Sequence, residues 1–198
     1  MTEFVDIKNI DPIILFKEKY EDAKQADQKN IEAICISSFN KTKKEVDSRF
    51  VNLKFVDGDE FIFFSNYDSP KSKAFMSHSQ ISACIFWESI NTQIRFKAKI
   101  KRTSVKFNKK YFKKRSSEKN ILAISSNQSN EIASFKDVLE KYENVKNNYN
   151  NTECPDHWGG FSFKPYEIEF WEGNEFRLNK RTLYRFQEKS WHSLILEP

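Results

Sequence analysis

The sequence predicts an α+β protein whose sheet is a closed or split β-barrel of antiparallel strands with flanking helices. Three observations carry this prediction. About seven or eight segments of strand length lie between turn signals, helical periodicity is confined to two stretches, and aromatic residues supply an unusual share of the apolar side chains. Of the 198 residues, 19 are Phe, 7 Tyr and 4 Trp, and rings suit a pleated, half-buried surface. A chain of this length can bury one substantial core, so a single domain over residues 1–198 is expected.

The elements follow in order. Asp11-Pro12 reads as an N-cap and a first-turn proline, and Ile14, Leu15, Tyr20 and Ala23 follow near helical spacing, so a helix is expected over 11–29. The branched run IEAICISSF (31–39) has strand length, NKTKKEVD is a polar turn, and SRFVNLKFV (48–56) is a second strand. Asp57-Gly58 signals a hairpin into EFIFFSN (60–66). In the next pair, QISACIFWES (80–89) and TQIRFKAKIKRTS (92–104), Gln93, Arg95, Lys97 and Lys99 alternate with Ile94, Phe96, Ala98 and Ile100, the pattern of a half-buried antiparallel strand. Between 104 and 148 the period changes. SVKFNKKYFKKR, the segment around EKNILAISS, and EIASFKDVLEKYENVKNNY read as three helical pieces inserted into the sheet. NVKNNYNNTE (144–153) is Asn-rich and expected to be a mobile surface loop. Strands resume at FSFKPYEIEFW, EFRLNKRTLYRF and WHSLILEP.

Composition narrows the functional classes. No run of about 18 apolar residues occurs, and acidic residues precede the short apolar patch near the N-terminus, so a soluble cytoplasmic protein with no membrane contact is expected. Cys35, Cys84 and Cys154 are odd in number and far apart in sequence, which argues against disulfides and against a metal centre. The net charge of +5 favours anionic partners, but Lys and Arg are spread over several segments, so nucleic acid is not an expected partner. No Ser/His/Asp set, glycine-rich nucleotide loop or pair of acids at hydrolase spacing occurs, and His78, His157 and His192 read as structural. An enzyme without an acid–base dyad needs a cofactor to carry the electrons.

Four constellations carry chemistry. Arg49 and Lys54 at neighbouring strand positions, with Ser65, Ser69 and Lys71 in FFSNYDSPKSK, where hydroxyls are expected in the loop that follows, form a credible phosphate cradle, against which stands a plain basic edge. Gln93, and Gln128 with Ser129, offer amides and a hydroxyl to a heterocycle or sugar chain. Tyr111, Arg115 and Lys119 fall at i, i+4 and i+8 and would share one helix face, as would any solvated basic helix. Trp171 is followed by Arg177, Asn179 and Arg181 at every second position, which on a strand places the three polar side chains on one face. Such a face suits a planar anion or cross-strand ion pairs.

The blocks SRFVNLK, FFSN..SPK, FWESINTQIRFKAK, KYFKKRSSEKNILAISSNQS and WGGF…IEFW.G.E.RL..R.LY stand in the order found in the pyridoxamine 5′-phosphate oxidase family, which the chain resembles from about Ile31 to Pro198. The resemblance implies an FMN-binding split β-barrel, a homodimer with FMN at the interface, and oxidation of pyridoxamine or pyridoxine 5′-phosphate to pyridoxal 5′-phosphate with O2 reduced to H2O2. It implies FMN contacts at Arg49, Lys54, Phe64, Ser65, Ser69, Lys71, Gln93, Gln128, Ser129, Trp171 and Arg181. It places the small phosphorylated substrate at Lys54, Tyr111, Arg115, Lys119, Arg177 and Asn179, the last two also nearest the chemistry. Four positions depart from the family pattern. Phe64 replaces a Tyr, Pro70 an Arg, Lys119 a Ser and Asn179 a His. The N-terminal arm that often covers the family's active site is expected to be short or absent. Those departures keep two alternatives in view: an FMN oxidase of the same family acting on another substrate, for example a phenazine-pathway intermediate, and a non-catalytic protein that binds flavin or a B6 phosphate.

Overall fold

The computed structural model of the chain describes residues 1–7, 9–150 and 153–198. The described residues form ten strands and five α-helices: β1 (Glu3–Val5), α1 (Asp11–Gln25), β2 (Ala33–Asn40), β3 (Glu45–Asn52), β4 (Phe55–Asp57), β5 (Glu60–Asn66), α2 (Pro70–Ser77), β6 (Gln80–Trp87), β7 (Thr92–Arg102), α3 (Val105–Lys114), α4 (Ser117–Ser125), α5 (Phe135–Asn147), β8 (Trp158–Glu172), β9 (Lys180–Gln187) and β10 (Ser190–Leu196). They make one sheet in the order β1-β4-β5-β8-β7-β6-β2-β3, with β9 beside β8 and β10 beside β9. All pairings are antiparallel except β1 with β4, which run parallel.

The predicted strand over 48–56 is two strands, and the break between them closes the barrel. Successive residues of an extended chain turn their N–H groups to opposite sides. Leu53 N–H donates to Glu32 O at 2.8 Å, on the β2 side, and Lys54 N–H donates to Ile62 O at 2.8 Å, on β5. The chain thus leaves one neighbour and joins the next within two residues. The other long-range feature is β8, whose first half (Trp158–Phe163) pairs with β5 and whose second half (Glu167–Glu172) pairs with β9, while β7 flanks most of its length. A register shift opposite Lys97 and Ala98 separates the halves, next to Pro165, which has no N–H to give a ladder. This exchange of partners along one strand splits the barrel.

The core is aromatic, as the composition requires. The Phe16 ring from α1 lies 5.0 Å from Phe61, 5.6 Å from Trp87 and 5.9 Å from Phe96, so the helix plugs the barrel with a side chain that is fully buried. Ile13, Phe16, Tyr20 and Ala23 form its buried stripe at spacings of three and four. The helix is shorter than expected, ending at Gln25, and Ile10 rather than Asp11 is its N-cap, with Asp11 inside the first turn beside Pro12.

Three further expectations are corrected. SPKSKAFMS is not loop throughout, because Pro70 opens the two-turn α2, with Ser69 at its N-cap position. The Asn-rich stretch 144–153 begins as the last turn of α5, and residues 151 and 152 lie outside the described residues. EFRLNKRTLYRF becomes strand only at Lys180. Glu175–Arg177 form a 3-10 turn in which Phe176 has φ 58° and Arg177 φ 63°, left-handed values that no strand contains. Cys35 and Cys84, distant in sequence, sit directly opposite each other on β2 and β6, and both are free thiols. No helix among the described residues is long and apolar enough to cross a membrane.

Candidate active site

A cavity of about 830 Å³ opens where β3, the Leu53–Lys54 corner, the end of β5, the first turn of α2, and α3–α4 with the loop after them converge. Its wall is aromatic. Phe64 stacks on Tyr111 at 4.1 Å and 21° and on Trp158 at 5.0 Å and 8°. Phe64 points this way because β5 turns Phe63 into the core, with 0% exposure, and its neighbour to the other face. The missing hydroxyl at this position leaves a ring whose role is packing.

Two helix anchors place the polar groups. Asn108 on α3 accepts from Gly160 N–H at 2.9 Å and donates to Tyr67 Oη at 3.0 Å, which ties α3 to β8. Asn120 Nδ2 donates to Phe112 O at 2.9 Å, tying α4 back to α3. With both fixed, Tyr111 and Arg115 face the cavity, although α3 ends at Lys114 and Arg115 is its extended C-cap rather than a further turn. The expected single helix face of Tyr111, Arg115 and Lys119 is therefore corrected, since Lys119 belongs to α4. All three nevertheless line the cavity. The turn between the helices does what a continuous helix was expected to do.

Arg115 stacks over Trp158 at 4.4 Å and donates from Nη2 to Lys119 O at 3.1 Å. Its Nη1 is buried without a hydrogen-bond partner. Burial lowers its pKa, but a guanidinium stays charged, so this atom is a donor lacking an acceptor. Burial also raises the pKa of Tyr111, which keeps the phenol a donor.

Opposite this group, the Gln128 amide oxygen joins part of the second predicted constellation to Ser65 and Lys71 of the first. It accepts from Lys71 Nζ at 3.1 Å and, at 3.4 Å each, from Ser65 Oγ and Asn66 N–H. Lys71 also donates to Ser69 Oγ at 3.2 Å, and Ser69 is itself fully buried behind it. Burial, with the charge of Arg49 added, pulls the Lys71 pKa down to about 8. Arg49 donates to Ser38 Oγ at 2.8 Å and Ile36 O at 3.1 Å, and burial lowers its pKa too. Arg49 also has Asp47 at 3.9 Å, and the Lys54 ammonium is paired more closely, with Glu32 at 2.5 Å. Ser129, at φ 67°, completes this side.

Besides Ser69, which is buried behind Lys71 and does not line the cavity, five predicted residues lie outside it. Gln93, Trp171 and Arg181 stand directly opposite one another across β7, β8 and β9, in one row on the sheet's outer face. Arg181 is engaged there, with Nε on Glu169 at 2.8 Å and Nη1 on Glu197 O at 2.9 Å. Arg177 and Asn179 do not share a strand face with Arg181, because the 3-10 turn intervenes. Asn179 Oδ1 instead accepts from Asn174 N–H at 3.2 Å, bracing that turn. Sequence reasoning missed Glu32, Lys114, Ser116 and Trp158 as lining residues. Trp158 carried a signal as the first residue of the WGGF block, and Lys114 and Ser116 lie in the KYFKKRSSEK block, whereas Glu32 lies in none.

Residues 158–198 match the family model of the pyridoxine 5′-phosphate oxidase C-terminal dimerisation region. The pyridoxine/pyridoxamine 5′-phosphate oxidase of Leptospira interrogans is 30% identical over 191 residues, 95% of this chain and 89% of its own length. That of Vibrio vulnificus is 36% identical over 196 residues, 98% and 92% of the two chains. The chain belongs to the pyridoxine/pyridoxamine 5′-phosphate oxidase family. Among solved structures, PhzG from Burkholderia lata, in complex with tetrahydrophenazine-1-carboxylic acid, superposes with a TM-score of 0.90 at 21% identity, covering 94% of this chain and 92% of that one. A pyridoxamine 5′-phosphate oxidase-related, FMN binding protein from Nostoc punctiforme gives 0.77 at 10% identity, covering 92% and 97%. Both likenesses are of fold, and they make the sheet a split barrel of this family.

Membership makes the chain an FMN-dependent oxidoreductase. The cavity fits such a cofactor. It holds an orphaned guanidinium nitrogen, a half-desolvated ammonium whose hydrogen-bond partners are the neutral Ser69 and Gln128, and a stacked aromatic wall. Donors of this kind await an anion, and a planar ring system can lie against such a wall.

Proposed function

We propose that the chain oxidises pyridoxamine or pyridoxine 5′-phosphate to pyridoxal 5′-phosphate, with O2 as the electron acceptor, and that it does so as a homodimer. The observation that carries the reading is the pair of cationic groups in one cavity, Arg49 with Lys71 on one side and Arg115 with Lys119 on the other. Two such groups suit two phosphates, one of the cofactor and one of the substrate. Bound FMN would supply a two-electron acceptor for the substrate's hydride and a route for those electrons to O2, giving H2O2; with pyridoxamine 5′-phosphate, water would release the amino group as ammonia.

The chain's own residues bind and orient. Arg49, Lys71, Ser65 and Ser69 hold the FMN phosphate, at the first turn of α2 where Pro70 stands in place of a further cation. Gln128 and Ser129 bond the remainder of the cofactor, and Phe64 packs beside it. Arg115 Nη1, Lys119 and the Tyr111 hydroxyl take the substrate phosphate, and Lys54, held by Glu32, presents one fixed donor to the space between. Gln93, Trp171, Arg177, Asn179 and Arg181 come from the second copy, because they lie outside the cavity of their own chain while four of the five fall within or beside the dimerisation match. Asn179 holds the turn that presents Arg177 and transfers no proton.

A second reading, a related oxidase for a ring substrate bearing a carboxylate, such as a phenazine-pathway intermediate, is favoured by Lys119. Its ammonium is a point charge with no preference for the geometry of a phosphate. The test is an absorbance spectrum of the flavin-loaded protein under anaerobic conditions. Bleaching on addition of pyridoxine 5′-phosphate, with recovery in air, supports the first reading. Bleaching only with a reduced ring carboxylate moves the assignment to the second, and a flavin that stays oxidised with both makes the protein a binder. Arg115→Ala is expected to keep its flavin and to bind pyridoxine 5′-phosphate ~10–100-fold more weakly, the scale of a charge-assisted hydrogen bond.

A further inference from the structure

Between Trp171 and Arg181, both in the outer row of the sheet, the chain leaves the ladder and forms a short finger, residues 173–179. None of these residues is buried, and the tip is apolar: Phe176 is 90% exposed and Leu178 70%. The finger is nevertheless fixed in shape. Gly173 N–H donates to Asn91 O at 2.9 Å, Asn174 N–H to Asn179 Oδ1 at 3.2 Å and Leu178 N–H to Glu175 O at 3.3 Å. Phe176 and Arg177 both have left-handed backbone, at φ 58° and 63°. An aromatic residue rarely adopts that conformation, and holding one there to expose its ring to water opposes both backbone preference and the hydrophobic effect. Strain of this sort is kept where a site uses it.

The occupant that covers the finger is a second copy of this chain. The finger lies inside the matched dimerisation region and joins the two residues, Trp171 and Arg181, that the cavity of their own chain lacks. We propose that Phe176 is a specificity-determining residue supplied in trans, its ring closing the open side of the Phe64–Tyr111–Trp158 wall in the second copy's cavity. Arg177 brings the charge and Phe176 the apolar face of one slot, shaped for a flat ring with an anionic substituent. Asn179 is the positioning residue that keeps the finger at its length. The nature of the ring rests on the proposed substrate and the placement of Phe176 on the proposed dimer, and the two are read by separate experiments.

A photo-reactive aromatic analogue, p-benzoylphenylalanine, at position 176 tests the placement in the flavin-loaded dimer, with one copy isotope-labelled to tell the chains apart. A cross-link from one chain to peptides of residues 105–125 in the other is expected. Cross-links within a chain, or to another face, overturn the proposal. For the role, Phe176→Ala is expected to bind pyridoxal 5′-phosphate about five- to thirty-fold more weakly, the scale of one lost ring contact, at unchanged dimer mass. Wild-type affinity in that variant overturns the contact with ligand even if the cross-link forms. Failure of the wild-type protein to bind pyridoxal 5′-phosphate defeats the proposed substrate instead, and the cross-link still decides where Phe176 sits.

Discussion

In the proposed cofactor site, Lys71 would set the condition for loading FMN. Its pKa near 8 reflects burial first and the charge of Arg49 second, so the ligand-free cavity loses a positive charge just above neutrality. An arriving phosphate restores the proton, and that uptake becomes unfavourable as pH rises. FMN affinity is therefore expected to fall above about pH 8 in the wild-type protein and to be weaker but flatter with pH in Lys71→Met; titration of apoprotein by flavin fluorescence across this range checks it. The residues around Lys71 were legible in the sequence because SRFVNLK and FFSN..SPK each carry several polar positions in fixed order. Glu32 was not, because nothing in IEAICISSF foretells that Lys54, twenty-two residues on, will return to pair with it. Asn179 was misread for a related reason. Alternation in R-L-N-K-R is indistinguishable from strand until positive φ at Phe176 and Arg177 breaks the period.

Strands β7, β8 and β9 share a ladder of charge on their outer face. Glu169 is gripped by Arg95 from one side and Arg181 from the other, and Glu167 by Lys97 and Arg185. Burial raises the pKa of each carboxyl, but hydrogen bonds and charge from the flanking cations outweigh it and leave both below the ordinary range. A lowered folded pKa gives stability that is complete above the unfolded value and is lost as pH falls through the folded one. Melting temperature is expected to drop between about pH 5 and pH 3, and less so in Glu169→Gln, whose melting point is already lower at neutral pH; calorimetry over that range distinguishes the two. The start of β8 has a different vulnerability. A Cβ on Gly159 would run into Tyr67 Oη and Asn108 Nδ2, members of the network that ties α3 to the sheet. Gly159→Ala is expected to cost ~1–3 kcal/mol in denaturant unfolding and to loosen Tyr111 and Arg115 with it. Strand and helix identities here were readable from period two and period 3.6. The short α2 was not, since PKSKAFMS is too brief and too polar to show a face.

Across the whole molecule, the candidate residues divide between a cavity on one side and the outer row with its finger on the other, and the two sets do not line one cavity within the chain. Flavin that touches both sets can be held only by the dimer, so its occupancy is linked to association by mass action. Dilution is expected to lower dimer fraction and bound flavin together, measured by size exclusion with absorbance at the flavin band; flavin retained by a monomer would falsify the shared site. That division was invisible in the sequence, where Gln93 and Gln128, or Arg115 and Arg181, look equally close to the same ligand.

The corner at Leu53 and Lys54 also sets a schedule. Barrel closure there depends on β5 finding β8, a pairing of Phe61 with Phe163 across a hundred residues of chain, and such distant contacts form slowly. Lys54, Ser65 and Trp158, which lie on both sides of that closure, come together only when it is nearly complete. FMN is therefore expected to find nothing to grip in the folding transition state and to act on the finished barrel alone. Excess FMN is expected to slow unfolding in denaturant jumps while leaving the refolding rate unchanged, and a refolding rate that climbed with FMN would mean that the phosphate clamp assembles before the barrel shuts.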